Sequence, residues 1–189
     1  MSVVPKPENE SARLEVLRQF EILDTDPEES LDEITRLAAH LCHTPIAVIT
    51  LIDAHRQWFK SRVGLTPTET ARDISFCAHA IMQPGPLVVR DALDDDRFRH
   101  NPMVTSDPYI RFYAGSPLVS IEGYNLGTLC VIDRTPREIT PEQVAALRIL
   151  SNQVMTQLEL RRTINFLTHS LNNKTKRVEE LEAQLQAPR

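Results

Sequence analysis

Glycine is scarce in this 189-residue chain: there are five, and all of them (Gly64, Gly85, Gly115, Gly123, Gly127) lie between positions 64 and 127. Strands and turns are therefore expected in the middle, with helical sequence on both sides. Aromatic residues make up only 5%, so a core must come mainly from Leu, Ile and Val. The three cysteines, Cys42, Cys77 and Cys130, are odd in number and widely spaced, which argues against a disulfide framework and for reduced thiols. Long apolar runs are missing as well. The longest, Pro45 to Ile52, is broken by Thr50 and falls far short of a membrane span. No apolar signal core follows Met1, so the expected location is the cytoplasm, away from any membrane.

Nor is there a concentrated basic face. The net charge of −5 is uneven, with four basic and ten acidic side chains in residues 1–43 and six basic and three acidic in residues 161–189. The one basic run free of acids, Arg161 to Arg177, spreads five charges along a helix and reads as a solvated face. Without a recognisable reading motif, no nucleic-acid partner is expected.

Residues 1–10 read as an extension. Ser11 to Phe20 carries Leu14, Val16, Leu17 and Phe20 at roughly helical spacing. A stronger helix is expected from Asp26-Pro27-Glu28-Glu29, with Asp26 as cap, Pro27 in the first turn and Glu29 reaching back. Its apolar stripe is Leu31, Ile34, Leu37, Ala38 and Leu41, and Pro45 ends it. Ile46–Ile52 has the composition of a central strand. Ala114–Ser120 and Leu126–Ile132 read as a hairpin through 121–125. Residues 64–113 read as a long irregular connection, a common place for a binding wall.

The last part reads as one helix. Thr140-Pro141-Glu142-Gln143 is another capping start, and no Gly or Pro follows until after Ala187, giving roughly 70 Å of helix. From residue 159 onward, Leu160, Ile164, Leu167, Leu171, Lys174, Val178, Leu181 and Leu185 alternate steps of three and four. That is a coiled-coil seam, and a parallel homodimer is expected through it, with Arg177 and Glu182 at cross-pairing positions. A helix folded back on its own domain is the alternative.

Among chemistry-bearing residues, Cys77 and His79 are two apart, so on a helix they point about 200° from each other and cannot readily share an atom. His40, Cys42 and His43 cluster at a helix end, which favours histidine electrostatically. Asp91 with Asp94-Asp95-Asp96 lacks the ligand spacing of a calcium loop. No metal site and no catalytic group are expected. Cys130, in an apolar strand, reads as a buried, unreactive thiol.

Ile46–Asp53, Arg56–Ser61, Ser75-Phe-Cys-Ala-His-Ala80, Leu87–Ala92, Arg111–Leu118 and Leu126–Asp133, taken in order, resemble the GAF domain of bacterial sensor kinases and diguanylate cyclases. The resemblance covers roughly residues 10–160, with the domain proper assigned to 11–158. It implies an α+β fold: an antiparallel sheet of about six strands, helices on one face, a ligand pocket on the other. It also implies terminal helices that pair between subunits and pass a signal to a kinase or cyclase output partner. On this frame Arg111, Phe112 and Tyr113 enter a strand at the pocket edge, offering a guanidinium to an anionic group and rings for stacking. Trp58, Phe76, Cys77 and Phe98 are candidate wall residues, and His79, Asp91 and Asn101 candidate polar contacts.

Two chemically active branches test the resemblance. Bilin-binding GAF domains carry a Cys-His pair shortly before a strand resembling Ala114–Ser120. This chain has Ser106-Asp-Pro-Tyr109 there, so covalent bilin is not expected and the cofactor stays unknown. Free methionine sulfoxide reductases need several cysteines around one pocket. Cys77 resembles one of them in placement, but residues 100–113 offer it no thiol partner, and one cysteine cannot close a disulfide. Thr168-His-Ser-Leu171 is a lone histidine with no nucleotide-binding glycine motif after it. The expectation is a non-catalytic sensory module that binds a small molecule, with a thiol-dependent reductase or a ligand-free dimerisation scaffold as alternatives.

Overall fold

Ile46-Ala-Val-Ile-Thr-Leu-Ile52 is the right material for a strand buried on both faces. In a computed structural model, which describes residues 4–186, it is strand β1 (Ile46–Ile52) at the centre of a six-stranded antiparallel sheet. On one side lie β2 (Arg56–Val63) and then β3 (Glu69–Ala71). On the other lie β6 (Asn125–Asp133), β5 (Phe112–Val119) and β4 (Leu87–Val89), giving the order β3-β2-β1-β6-β5-β4. The β1–β6 pair is close enough that position 127 must be glycine: a Cβ there would stand 1.8 Å from the Thr50 carbonyl oxygen.

Three helices, α1 (Glu10–Gln19), α2 (Glu29–Cys42) and the first part of α5 (Pro141–Gln186), cover one face. Leu17, Phe20, Leu31, Leu147 and Leu158 form a core there with Ile49, Leu51, Leu118 and Leu129. The other face is covered by residues 64–111. The stretch expected to be irregular contains β3, β4, a 3-10 turn at Arg72–Ile74, and the short helices α3 (Phe76–Ala80) and α4 (Pro102–Thr105). A second core lies under it, built from Phe76, Ile81, Phe98 and Val104 against Val48, Ile52, Tyr113 and Ile132.

Helix α2 departs from its expected start. Its N-cap is Glu28, without a side-chain capping hydrogen bond, and residues 25–28 stay outside the helix. The cause is Lys60, whose side chain is fully buried. Its ammonium donates to Thr25 Oγ1 at 2.8 Å and to the Asp26 carbonyl at 2.6 Å, and pairs with Glu28 at 2.7 Å. A buried cation needs those acceptors, and they are available only from an unwound turn. The stripe is also rotated. Leu31 and Ala38 are buried, whereas Leu37 and Leu41 are exposed and Thr35, Ala39 and Cys42 take inner positions. Thr35 donates to Ser61 Oγ at 2.7 Å, and Ser61 donates to Asp32 at 2.5 Å. That polar pair between α2 and β2 sets the rotation.

Helix α5 starts as its sequence demands. Thr140 and Gln143 cap each other, Gln143 N–H to Thr140 Oγ1 at 3.2 Å and Thr140 N–H to Gln143 Oε1 at 3.1 Å. It runs unbroken to Gln186, so the division at 158/159 falls inside one helix. Leu158 is the last buried side chain on it among those described. Beyond it Leu160, Ile164, Leu167, Leu171 and Val178 are 52–65% exposed; the side chains of Leu181 and Leu185 lie outside the described residues. No described helix is long and apolar enough to cross a membrane.

Candidate functional site

Strand alternation sorts the candidate residues first. Successive side chains of a strand point to opposite faces, so Phe112 and Tyr113 separate. Tyr113 joins the core beneath α3, while Phe112, together with Trp58 of β2, joins the helix-side core. Trp58 and Phe112 therefore do not share a surface with the other candidates, a correction to the expected wall.

On the α3 side, Phe76 and Phe98 stack with centroids 4.0 Å apart, and Tyr113 lies 5.3 Å from Phe76. All three are almost fully buried. The hollow expected there is filled by its own aromatic residues, because these rings are the bulkiest apolar groups available to cover that face.

Cys77 points inward from α3, with its sulfur 3.7 Å from that of Cys130 on β6. Cys130 on β6 is thus a thiol neighbour of Cys77 and is not isolated among apolar neighbours. The Tyr113 hydroxyl donates to Cys77 Sγ at 3.4 Å. Burial pushes the Cys77 thiol up, but its polar surroundings, the Cys130 thiol first and the neighbouring hydroxyls after it, outweigh burial and hold it below the ordinary thiol value. Cys130, hydrogen-bonded to Cys77 and buried, is pushed well above the ordinary thiol range. Cys42 sits on the other face, where burial raises it to about 11.

His79 points the other way, as the helical angle requires. It is half-buried, edge-on to Phe98 at 4.9 Å. Burial first, then the positive charge of Arg97, holds its imidazole below the ordinary histidine value. His79 and Asn101 line a cleft of about 100 Å³ with Asp73, Asp96, Arg97 and His100. Asn101 also has structural duties: it caps α4 by accepting from Met103 N–H at 2.9 Å and donates to the Ile74 carbonyl at 2.9 Å.

Arg111, expected to hold an anionic ligand, is instead forked onto Asp91, with Nε and Nη2 at 2.7 and 2.5 Å from its two oxygens. The guanidinium holds the Asp91 carboxyl below its usual range. Two candidates that were to contact a ligand separately satisfy each other, outside the His79 cleft. Of the ten candidates, four meet in the filled interior (Phe76, Cys77, Phe98, Tyr113), two in the cleft (His79, Asn101), two in the ion pair, and two on the far face.

A further cluster, unexpected from sequence, marks where α5 leaves the domain. Glu28 pairs with both buried Lys60 and Arg161 of α5. Arg162 pairs with Glu122 of the β5–β6 turn at 2.8 Å and with Glu159 at 2.9 Å, and lies 4.6 Å over the Phe20 ring. The residues are far apart in sequence, so only their charges were visible there.

A family model described as GAF domain matches residues 26–158. The chain belongs to the GAF domain family. It is 41% identical, over 98% of its length, to a cyclic di-GMP phosphodiesterase of Pseudomonas aeruginosa, and spans 32% of that protein. The expectation that the chain is not an enzyme is overturned by this relative, which bears an enzyme's name. Among solved structures it is similar in fold to the GAF domain of a phosphoenolpyruvate-protein phosphotransferase from Acinetobacter (TM-score 0.59, 18% identity, covering 82% of this chain and 97% of that one). It is also similar to a free methionine-R-sulfoxide reductase of Neisseria meningitidis (TM-score 0.60, 18% identity, 85% and 96%).

Proposed function

We propose that this chain is the sensory GAF module of a cyclic di-GMP phosphodiesterase, paired with a second copy through α5. The observation that carries this is the 41% identity along nearly the whole chain to the Pseudomonas enzyme, of which it spans about a third. The exposed apolar side chains from Leu160 to Val178 support pairing, since a single helix leaves them in water. The cluster around Glu28, Arg161 and Arg162 supports transmission, because it ties β2, α2 and the β5–β6 turn to the point where α5 departs.

The ligand surface is the face covered by α3 and α4. The cleft beside His79 offers two histidines, one arginine and two carboxylates, a set suited to a small polar molecule. At about 100 Å³ it takes a few heavy atoms. A larger ligand has to select an arrangement in which the α3–α4 segment stands away from the sheet, and that selection is what shifts the paired helices.

The test is a chimera in which this chain replaces the corresponding third of the Pseudomonas enzyme. It should form dimers and hydrolyse cyclic di-GMP at a rate that changes when His79 or Arg97 becomes alanine. A folded, dimeric chimera whose rate is indifferent to both substitutions refutes the sensory reading.

A further inference from the structure

The core beneath α3 contains a polar knot that neither packing nor the phosphodiesterase reading employs. Cys77 and Cys130 are 53 residues apart in sequence, yet their sulfurs are 3.7 Å apart and both residues are at most 2% exposed. The hydroxyls of Thr50 on β1 and Thr128 on β6, the strand that also carries Cys130, lie 3.3 Å from each other in the same core. Tyr113 adds a third hydroxyl. Its oxygen occupies the space left free at Gly115, where a Cβ would stand 2.1 Å from it, and Gly115 is the register partner of Cys130. Two thiols and three hydroxyls in an apolar core cost stability unless they satisfy one another. Leu or Val at these positions would fill the same space without that requirement. Cys42, alone on the opposite face, shows what a merely structural thiol looks like in this chain.

We propose that Cys77 and Cys130 form a buried oxidation site, which a small hydroperoxide converts to a disulfide. Cys77, as thiolate, attacks a peroxide oxygen. The O–O bond breaks, the departing oxygen takes a proton and leaves as water or an alcohol, and Cys77 becomes a sulfenic acid. The Cys130 sulfur then gives up its proton and attacks the Cys77 sulfur. The S–O bond breaks and the oxygen leaves with that proton as a second water. Two thiols have lost two electrons and the peroxide has gained them. The Tyr113 hydroxyl donates to the Cys77 sulfur at 3.4 Å, and a hydrogen bond to the charged form favours the thiolate, the attacking species. The burial of both sulfurs restricts entry to a small neutral oxidant. Closing the pair from 3.7 Å to about 2.05 Å draws α3 onto β6, the strand that leads into α5. The reaction requires only the two sulfurs and the peroxide, and no ligand in the neighbouring cleft.

Hydrogen peroxide is the probe. The folded chain is exposed to it, free thiols are blocked in denaturant, and the peptides are mapped by mass. Three blockable thiols should fall to one, on Cys42, with the peptides of Cys77 and Cys130 joined and two hydrogens lighter. A dithiol reductant should restore all three. The reaction rate should rise with pH, at lower pH than an ordinary thiol would require, because Cys77 is held below the usual thiol value. Cys42→Ser should oxidise as the parent does, and Cys130→Ser should stop at a sulfenic acid on Cys77 that a cyclic dione traps. Three free thiols in chain that stayed folded, a disulfide involving Cys42, or linkage only after oxidation in denaturant would each overturn the proposal. The mapping on the parent and on Cys42→Ser decides the matter even where Cys130→Ser does not fold.

Discussion

Glu28→Ala removes the one carboxylate, among the described residues, that reaches the Lys60 ammonium. The lysine keeps Thr25 Oγ1 and the Asp26 carbonyl, but its charge is then buried without a counter-charge. Removing one partner of a buried pair costs about 3–5 kcal/mol. Glu28 is itself 35% exposed, so water shares in the screening and the expected loss is about 2–3 kcal/mol. That is about a 30- to 150-fold change in the folding equilibrium. Urea unfolding followed by circular dichroism should show the midpoint falling by about 1–2 M, with chain concentration held fixed because association shifts apparent stability. Adding Lys60→Met to Glu28→Ala should recover part of the loss, since the charge left without its partner is then that of Arg161, which is 30% exposed and reaches water, and no longer a fully buried ammonium. A Glu28→Ala unfolding free energy within about 0.5 kcal/mol of the parent, or a double variant no better than the single one, refutes the buried-pair reasoning.

Truncation after Leu158 should give monomers in sedimentation velocity at concentrations where the full chain is dimeric; dimers that survive would place the interface elsewhere. At the other end of the domain, burial pushes the Glu10 carboxyl up, but hydrogen bonds and charge from Arg13 and Arg72 carry it down to about 2 from 4.5. Because the folded value is the lower one, its contribution is complete above pH 4.5 and is lost as pH falls toward 2. Glu10→Gln should therefore cost about 1–3 kcal/mol at pH 7 and flatten the acid limb of the stability curve. An unchanged acid limb in thermal unfolding would show that the clamp on Arg13 and Arg72 carries no weight.

Much of the fold was legible because its cues are local. The β-branched run at 46–52, the hairpin ends on either side of Gly123, and the Thr140–Gln143 capping box each act within a few residues, and each produced its element. The start of α2 departs from its local cues for the opposite reason. Its local cues favoured Asp26, but Lys60, more than thirty residues away, took the acceptors of that turn. The apolar stripe of α2 was likewise rotated by a hydroxyl pair with Ser61.

The candidate site divides along the same line. By itself the sequence determined which residues are aromatic, thiol or charged, that Cys77 and His79 face opposite ways, and that a long apolar-seamed helix follows the domain, because composition and helical angle need no partner. Only the tertiary structure decided that Phe76, Phe98 and Tyr113 fill the hollow, that Arg111 is taken by Asp91, and that Cys130 meets Cys77. Those outcomes depend on which strands lie side by side and which face each residue presents. Sheet order and register set both, and they arise from packing of the whole chain rather than from any short stretch of it.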